Sequence, residues 1–176
     1  WENVAEPEGT EERRKAALSC NTLSSALAAV LEGVDVNDHL DLHGRAQLAR
    51  AIVRQTPVPE VIRQAIIESY STLCDEYGQG TDVAVRSSAT TEDSVDASFA
   101  GQYESFLNVS GERAVISQWR QCVASLFTER AIGYQLDKGM NPLESSLSVV
   151  VMKMVRSDLA CSGVMFTIDP DSGHKG

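Results

Sequence analysis

At Asp82 the spacing of apolar residues changes from the 3.6-residue period of a helix to the two-residue period of a strand, and any fold for this chain must accommodate that switch. Three helical runs precede it. The first starts at Glu11 and carries Leu18, Leu23, Leu27, Val30 and Leu31 to a stop at Gly33. The second places Leu42, Leu48, Ala49, Ile52 and Val53 on one side and ends at Thr56-Pro57. The third takes Pro59 into its first turn, is expected to bury Val61, Ile62, Ala65, Ile66 and Leu73, and ends near Gly78. These runs read as one packed helical layer over about residues 11–78, behind an acidic, aperiodic lead-in over residues 1–12.

After the switch the pattern alternates between strand and helix. DVAVR is a short strand, and RSSATTEDSVDASFAG after it is a long polar loop. QYESFLNV reads as a strand with Tyr103, Ser105 and Leu107 on one face. A helix runs from Glu112 to about Phe127 over Val115, Trp119, Val123 and Leu126, and a further helical segment ends at Gly139. SLSVVVMKMV is a near-continuous apolar strand, with ACSGVMFTID expected as its antiparallel partner and RSDL as the turn between them. Helices, strands, helices and strands in that order predict an α+β fold with a helical layer packed on antiparallel strands.

Charge narrows the partners. The 176 residues carry 15 basic and 25 acidic side chains, a formal −10, and residues 1–100 hold 8 basic against 17 acidic, which is −9 of that total. Such a chain does not coat nucleic acid or an anionic membrane by bulk charge, so neither is expected as a partner. An anionic ligand must be held by local geometry. Cys20, Cys74, Cys122 and Cys161 form no CxxC pair, which argues against a zinc cluster and for free thiols in a reducing cytoplasm. No apolar run approaches a membrane span, WENVAEPEGTEERRK is not a signal peptide, and a cytoplasmic location is expected. The chain ends at DPDSGHKG directly after a predicted strand, which reads as a piece of a longer protein.

Few motifs offer chemistry. His39 and His43 are four apart, with Asp38 and Asp41 nearby, but DVNDHLDLHG is also a helix entry of the kind Asp and Asn cap. The stretch fails a calcium loop, as does DPDSGHKG, and no metal ligand is assigned. There is no GxxxxGK loop, GxSxG elbow or HExxH helix, and Gly78-Gln79-Gly80 precedes a strand rather than following one. The loop from Arg86 to Gly101 is richer. Ser87, Ser88, Thr90, Thr91 and Ser94 follow an arginine within nine positions. A guanidinium, hydroxyls and exposed amides are what polyphosphate recognition needs, each charge-assisted bond contributing about 1.5–3 kcal/mol. Glu92, Asp93 and Asp96 oppose an anion, and a solvated hydroxyl-rich loop is the competing reading. Val149–Val155 reads either as plain sheet core or as a strand whose end forms an apolar slot for a purine.

Several separated segments carry a resemblance. VAVRSSATTEDSVDASFAGQYESFLNV, AVISQWRQCVASLFTERAIGYQ and VVVMKMVRSDLACSGVMFTIDPDSG resemble the nucleotide-binding domain shared by phosphoenolpyruvate synthases (pyruvate, water dikinases), pyruvate phosphate dikinases and rifampicin phosphotransferases. The likeness is close over about residues 80–175 and looser over 37–78. It implies a partial ATP-grasp domain over residues 1–176: a lead-in to residue 12, a helical segment over 13–78 and the ATP-binding motifs over 80–176.

By resemblance, Arg86 contacts the transferring phosphates, Gly101 brings backbone amides to them and Ser105 adds a hydroxyl. Met152, Met154 and Val155 lie at the hinge that holds the adenine. The implied ligands are ATP and Mg2+, and the implied reaction forms phosphoenolpyruvate, AMP and phosphate through a phosphohistidine on another domain. The expected partners are the phosphohistidine and pyruvate-binding domains of the same enzyme, as a homodimer. An antibiotic phosphotransferase and a non-catalytic module remain the alternatives. The departures matter too. The glycine-rich segment with its phosphate lysine has no counterpart, and Lys15 is not that lysine. The magnesium carboxylates and phosphorylated histidine are expected outside the chain, Met152 stands where many relatives have glutamine, and the isolated chain is expected to be inactive.

Overall fold

Three helix starts here are set by short polar side chains, at Thr22, Asp38 and Thr128. Thr22 Oγ1 accepts from the Ser25 amide at 3.1 Å while Ser25 Oγ accepts from the Thr22 amide at 3.3 Å. This reciprocal cap starts a new helix inside what the periodicity treats as one run. The computed structural model, which describes residues 9–89, 93–94, 97–98, 104–169 and 171–174, therefore has α1 at Thr10–Leu18 and α2 at Leu23–Leu31. α1 begins one residue before the Glu11 start expected from the periodicity, so the acidic lead-in gives way to helix before residue 12. Asp38 accepts from the amides of Leu40 and Asp41 at 3.0 and 3.1 Å and caps α3, His39–Gln55. α4 spans Glu60–Tyr77, with Pro59 one step earlier than expected, at the N-cap.

The strands are β1 at Val83–Ala89, the two-residue pair β2 at Asp93–Ser94 and β3 at Ala97–Ser98, and β4 at Ser105–Val109. β1 outlasts the DVAVR reading by three residues. α5 runs over Glu112–Ala124, tightens into a 3-10 turn at Ser125–Phe127, and is followed by α6 at Glu129–Asp137 and β5 at Leu147–Lys153. The main sheet has the order β4-β1-β5, both pairings antiparallel.

Two cores divide the helices differently from the single layer expected. Leu27, Val30, Ala49 and Val53 from α2 and α3 pack with Phe127, Ala131 and Ile132 from the α5–α6 region. α4 is not in that group. Its Tyr70 and Cys74 join Val83, Val85, Val109, Val115 and Cys122 in a second core between the sheet and α4–α5. Each fully buried valine in these cores contributes about 1.5–3 kcal/mol relative to exposure. α4 reaches this core only from Ile66 onward, through Ile66, Tyr70, Leu73 and Cys74. Val61 is 83% exposed, and Ile62 and Ala65 are also exposed, which corrects the expectation that they are buried.

Arg45, 6% exposed, links α2 to α3. Its Nη1 donates to the Val30 carbonyl at 3.1 Å and its Nε lies 2.7 Å from Asp41 Oδ2. Asp41 Oδ1 also meets Arg13 of α1 at 3.3 Å. Burial raises the Asp41 carboxyl, but the hydrogen bond and charge of Arg45, the Asp35 amide and Arg13 outweigh it, and the net shift is downward.

The largest correction concerns the end of the chain. β5 pairs with β1, from Val83↔Lys153 to Ala89↔Leu147, and not with ACSGVMFTID. The RSDL turn does form: Arg156 pairs with Asp158, and the Leu159 amide donates to the Arg156 carbonyl at 3.1 Å. None of the described residues beyond it forms a strand, and Val164, Met165 and Phe166 are exposed.

Candidate nucleotide-binding site

Alternation along three strands gives the sheet two unlike faces. Val83 and Val85 on β1, Val149 and Val151 on β5, and Phe106 and Val109 on β4 turn toward α4 and α5. Phe106 and Val109 are three apart, so strict alternation would split them between faces. The register jumps from Val83↔Val109 to Val85↔Phe106, one extra residue on β4, and Asn108 adopts a positive φ of 55°. This β-bulge brings both side chains inward.

The other face carries Arg86 and Ser88 of β1, Ser148, Val150 and Met152 of β5, and Ser105 and Leu107 of β4, all exposed. Arg86 stands at its centre, directly opposite Ser105 on one side and Val150 on the other. No side-chain hydrogen bond or ion pair engages its guanidinium among the described residues. Lys153 is turned away and lies over the Tyr77 ring, 4.9 Å from its centroid. Arg86 is therefore the cation this face offers.

Met152 sits opposite Ala84, one strand repeat from the Arg86 row, or about 7 Å along the sheet. The Met154 amide donates to the Asp82 carbonyl at 2.9 Å, carrying the strand edge onward, and Val155 beyond it is 78% exposed. Four residues separate Val150 from Met154, about 13 Å of strand, so the charged and apolar positions are spaced along one surface as the two ends of a nucleotide would be. Of the residues singled out in sequence, Arg86, Ser105 and Met152 share this face, and Met154 and Val155 extend from its end. Gly101 lies outside the described residues, as does most of the hydroxyl-rich loop. Val150, Leu107, Ser88 and Ser148 also belong to the surface; the sequence places Ser88 among the candidate phosphate hydroxyls and Leu107 on the Ser105 face, but Val150 and Ser148 were not singled out as site residues. Matching the parity of Met152 along β5 would have found Val150 and Ser148.

The strand positions of this face carry no carboxylate among the described residues, and no described group of three His, Cys, Asp or Glu side chains is placed to hold a metal ion. These residues suit a phosphate and an apolar ring. They do not suit Mg2+. His43 Nδ1 instead lies 2.6 Å from Glu129 Oε1, a hydrogen-bonding contact between α3 and α6. Under the sheet the Cys122 thiol donates to the Val85 and Glu104 carbonyls at 3.8 and 3.7 Å. Burial, aided by the Glu104 charge, pushes its pKa up to about 11, and the four cysteines are free.

Comparison with known proteins decides the family. A model described as "Pyruvate phosphate dikinase, AMP/ATP-binding domain" matches residues 9–176. The chain belongs to this family. Phosphoenolpyruvate synthase from Synechocystis sp. is 49% identical over 158 residues, covering 87% of this chain and 19% of the relative. The Aquifex aeolicus phosphoenolpyruvate synthase is 44% identical over 159 residues, covering 90% of this chain and 19% of the relative. The Neisseria meningitidis serogroup B enzyme of the same name is 42% identical over 166 residues, covering 94% and 21%. The chain thus spans about a fifth of the length of these curated relatives. No described helix is long and apolar enough to cross a membrane.

Proposed function

We propose that this pyruvate phosphate dikinase-type AMP/ATP-binding domain serves a phosphoenolpyruvate synthase, with the outer sheet face as one wall of an ATP-grasp nucleotide site. The observation that carries the reading is the register: Arg86, unpaired among the described residues, stands opposite Ser105, with Met152 one repeat along the same surface. The guanidinium binds phosphoryl oxygens as they transfer, Ser105 donates its hydroxyl to them, and the apolar positions through Met152, Met154 and Val155 hold the adenine. Gly101 adds backbone amides to the phosphate end.

In the whole protein ATP reacts with pyruvate and water to give phosphoenolpyruvate, AMP and phosphate, through a phosphohistidine on a separate domain. Phosphoryl transfer asks the protein for positioning and charge neutralisation, and one arginine supplies only part of the latter. The phosphate lysine and the Mg2+ carboxylates come from residues other than those described, in a cytoplasmic homodimer. Phosphoenolpyruvate synthase relatives favour this reading over an antibiotic phosphotransferase.

The test is Arg86→Ala in the protein's natural polypeptide, read as transfer of label from β-32P-ATP to protein and as pyruvate-dependent AMP formation. Both fall sharply if the reading is right. Undiminished protein labelling would make Arg86 scaffolding and sink it.

A further inference from the structure

A second concentration of charge lies at the start of β4, on elements beneath the sheet. Arg50 and Arg54 are one turn apart on α3, and Arg120 is on α5. Arg54 Nε donates to Gln121 Oε1 at 2.8 Å, and Arg120 Nη1 donates to the Arg54 carbonyl at 2.7 Å. Arg50 Nη2 donates to Glu104 Oε1 at 3.3 Å, an ion pair with side chains 22% and 39% exposed. Glu104 provides the carboxylate for this group of half-buried cations. Burial and then the neighbouring Arg50 charge work against the Arg54 charge, and Glu104 opposes them only in part, so the net shift is downward.

The main chain of Glu104 is tied as firmly as its side chain. Its carbonyl accepts from Ser87 Oγ of β1 at 3.4 Å and from Cys122 Sγ of α5 at 3.7 Å. Ser87 adjoins Arg86, and the residue after Glu104 is Ser105. Among the described residues the Arg86↔Ser105 pair is the last of the β1–β4 ladder in this direction, while β1 continues to Ala89 paired with β5. Glu104, held by α3, β1 and α5 together, braces this end of β4.

We propose that the Arg50–Glu104 ion pair is a positioning strut that holds the start of β4 so that the Ser105 hydroxyl stays opposite the Arg86 guanidinium on the nucleotide face. This rests on the nucleotide reading above. Neither Arg50 nor Glu104 touches the ligand. The strut acts by fixing the row in which a phosphate finds two donors, so its loss weakens ATP while leaving the other substrate's site alone.

The experiment measures ATP affinity by calorimetry, the KM for pyruvate and the melting temperature in the natural polypeptide. Arg50→Ala and Glu104→Ala are each expected to weaken ATP about tenfold, and the double variant no more than either single. Arg50→Lys restores affinity to within about threefold of wild type, and Glu104→Gln, which keeps the oxygen but not the charge, loses about threefold. The pyruvate KM stays unchanged throughout. If Arg50→Ala does not fold, Arg50→Lys and Glu104→Gln carry the test. ATP affinity unchanged in the variants, additive losses, or equal loss for both substrates would overturn the strut alone. A wild-type protein that binds no ATP would overturn the nucleotide reading and the strut with it.

Discussion

Val85 and Arg86 are adjacent in one strand and have opposite physical fates. Val85 is fully buried against α4 and α5, where every neighbour is a packing partner. Arg86 stands exposed on the other face with its guanidinium unpaired among the described residues. A sheet covered on one side only separates stability from ligand chemistry at single-residue resolution. Mutations on one face should be read in melting temperature, and mutations on the other in binding.

The comparison breaks first, if it breaks, at Val85. Val85→Asp places an unpartnered carboxylate in the second core, and a loss of at least about 4 kcal/mol is expected, measured by urea denaturation. Arg86→Ala is expected to lower ATP-dependent protein labelling by about 100-fold or more, a loss typical of a removed transition-state donor. Its melting temperature should stay within about 2 °C of wild type, since exposed sites away from special features change stability little. A matched fall in both readouts would erase the distinction between the faces. Val85→Ala removes two buried methyl groups and should cost about 2 kcal/mol with ATP affinity unchanged.

Smaller effects sharpen the contrast. Leu107→Ser on the outer face should alter stability by less than about 0.5 kcal/mol. Away from the sheet, Asp41 supplies a pH test. Its carboxyl sits below the usual range when folded, so its contribution is present above the unfolded pKa and is lost as pH falls through the folded one. Stability of the wild type should therefore decline below about pH 4 more steeply than that of Asp41→Asn, as followed by acid titration with circular dichroism.

Local chemistry was legible where it was self-contained. The period change at Asp82, the Asp38 cap and the strands around Arg86 and Met152 need only neighbours in sequence. The break between α1 and α2 was also written there, as Thr22 and Ser25, but an uninterrupted apolar spacing masked it. The burial of α4 was not legible, because Val61 and Ile66 look alike until the length of the core beneath them is known. The β4 bulge defeated simple alternation for a related reason: the extra residue is defined only against a partner strand. Ser105 was singled out by resemblance, and its place opposite Arg86 came from the register.

What the sequence determined by itself is the α+β class, the helix caps, the cation available to the outer face and, through its motifs, the family. These depend on side-chain type and spacing, which act over a few residues. Tertiary structure decided that β1 lies between β4 and β5, that α4 joins the sheet core instead of α1–α3, and that Glu104 is braced from three elements. Those outcomes rest on contacts between residues far apart in the chain, here 54 positions from Arg50 to Glu104, whose energies exist only once the backbone has brought them together.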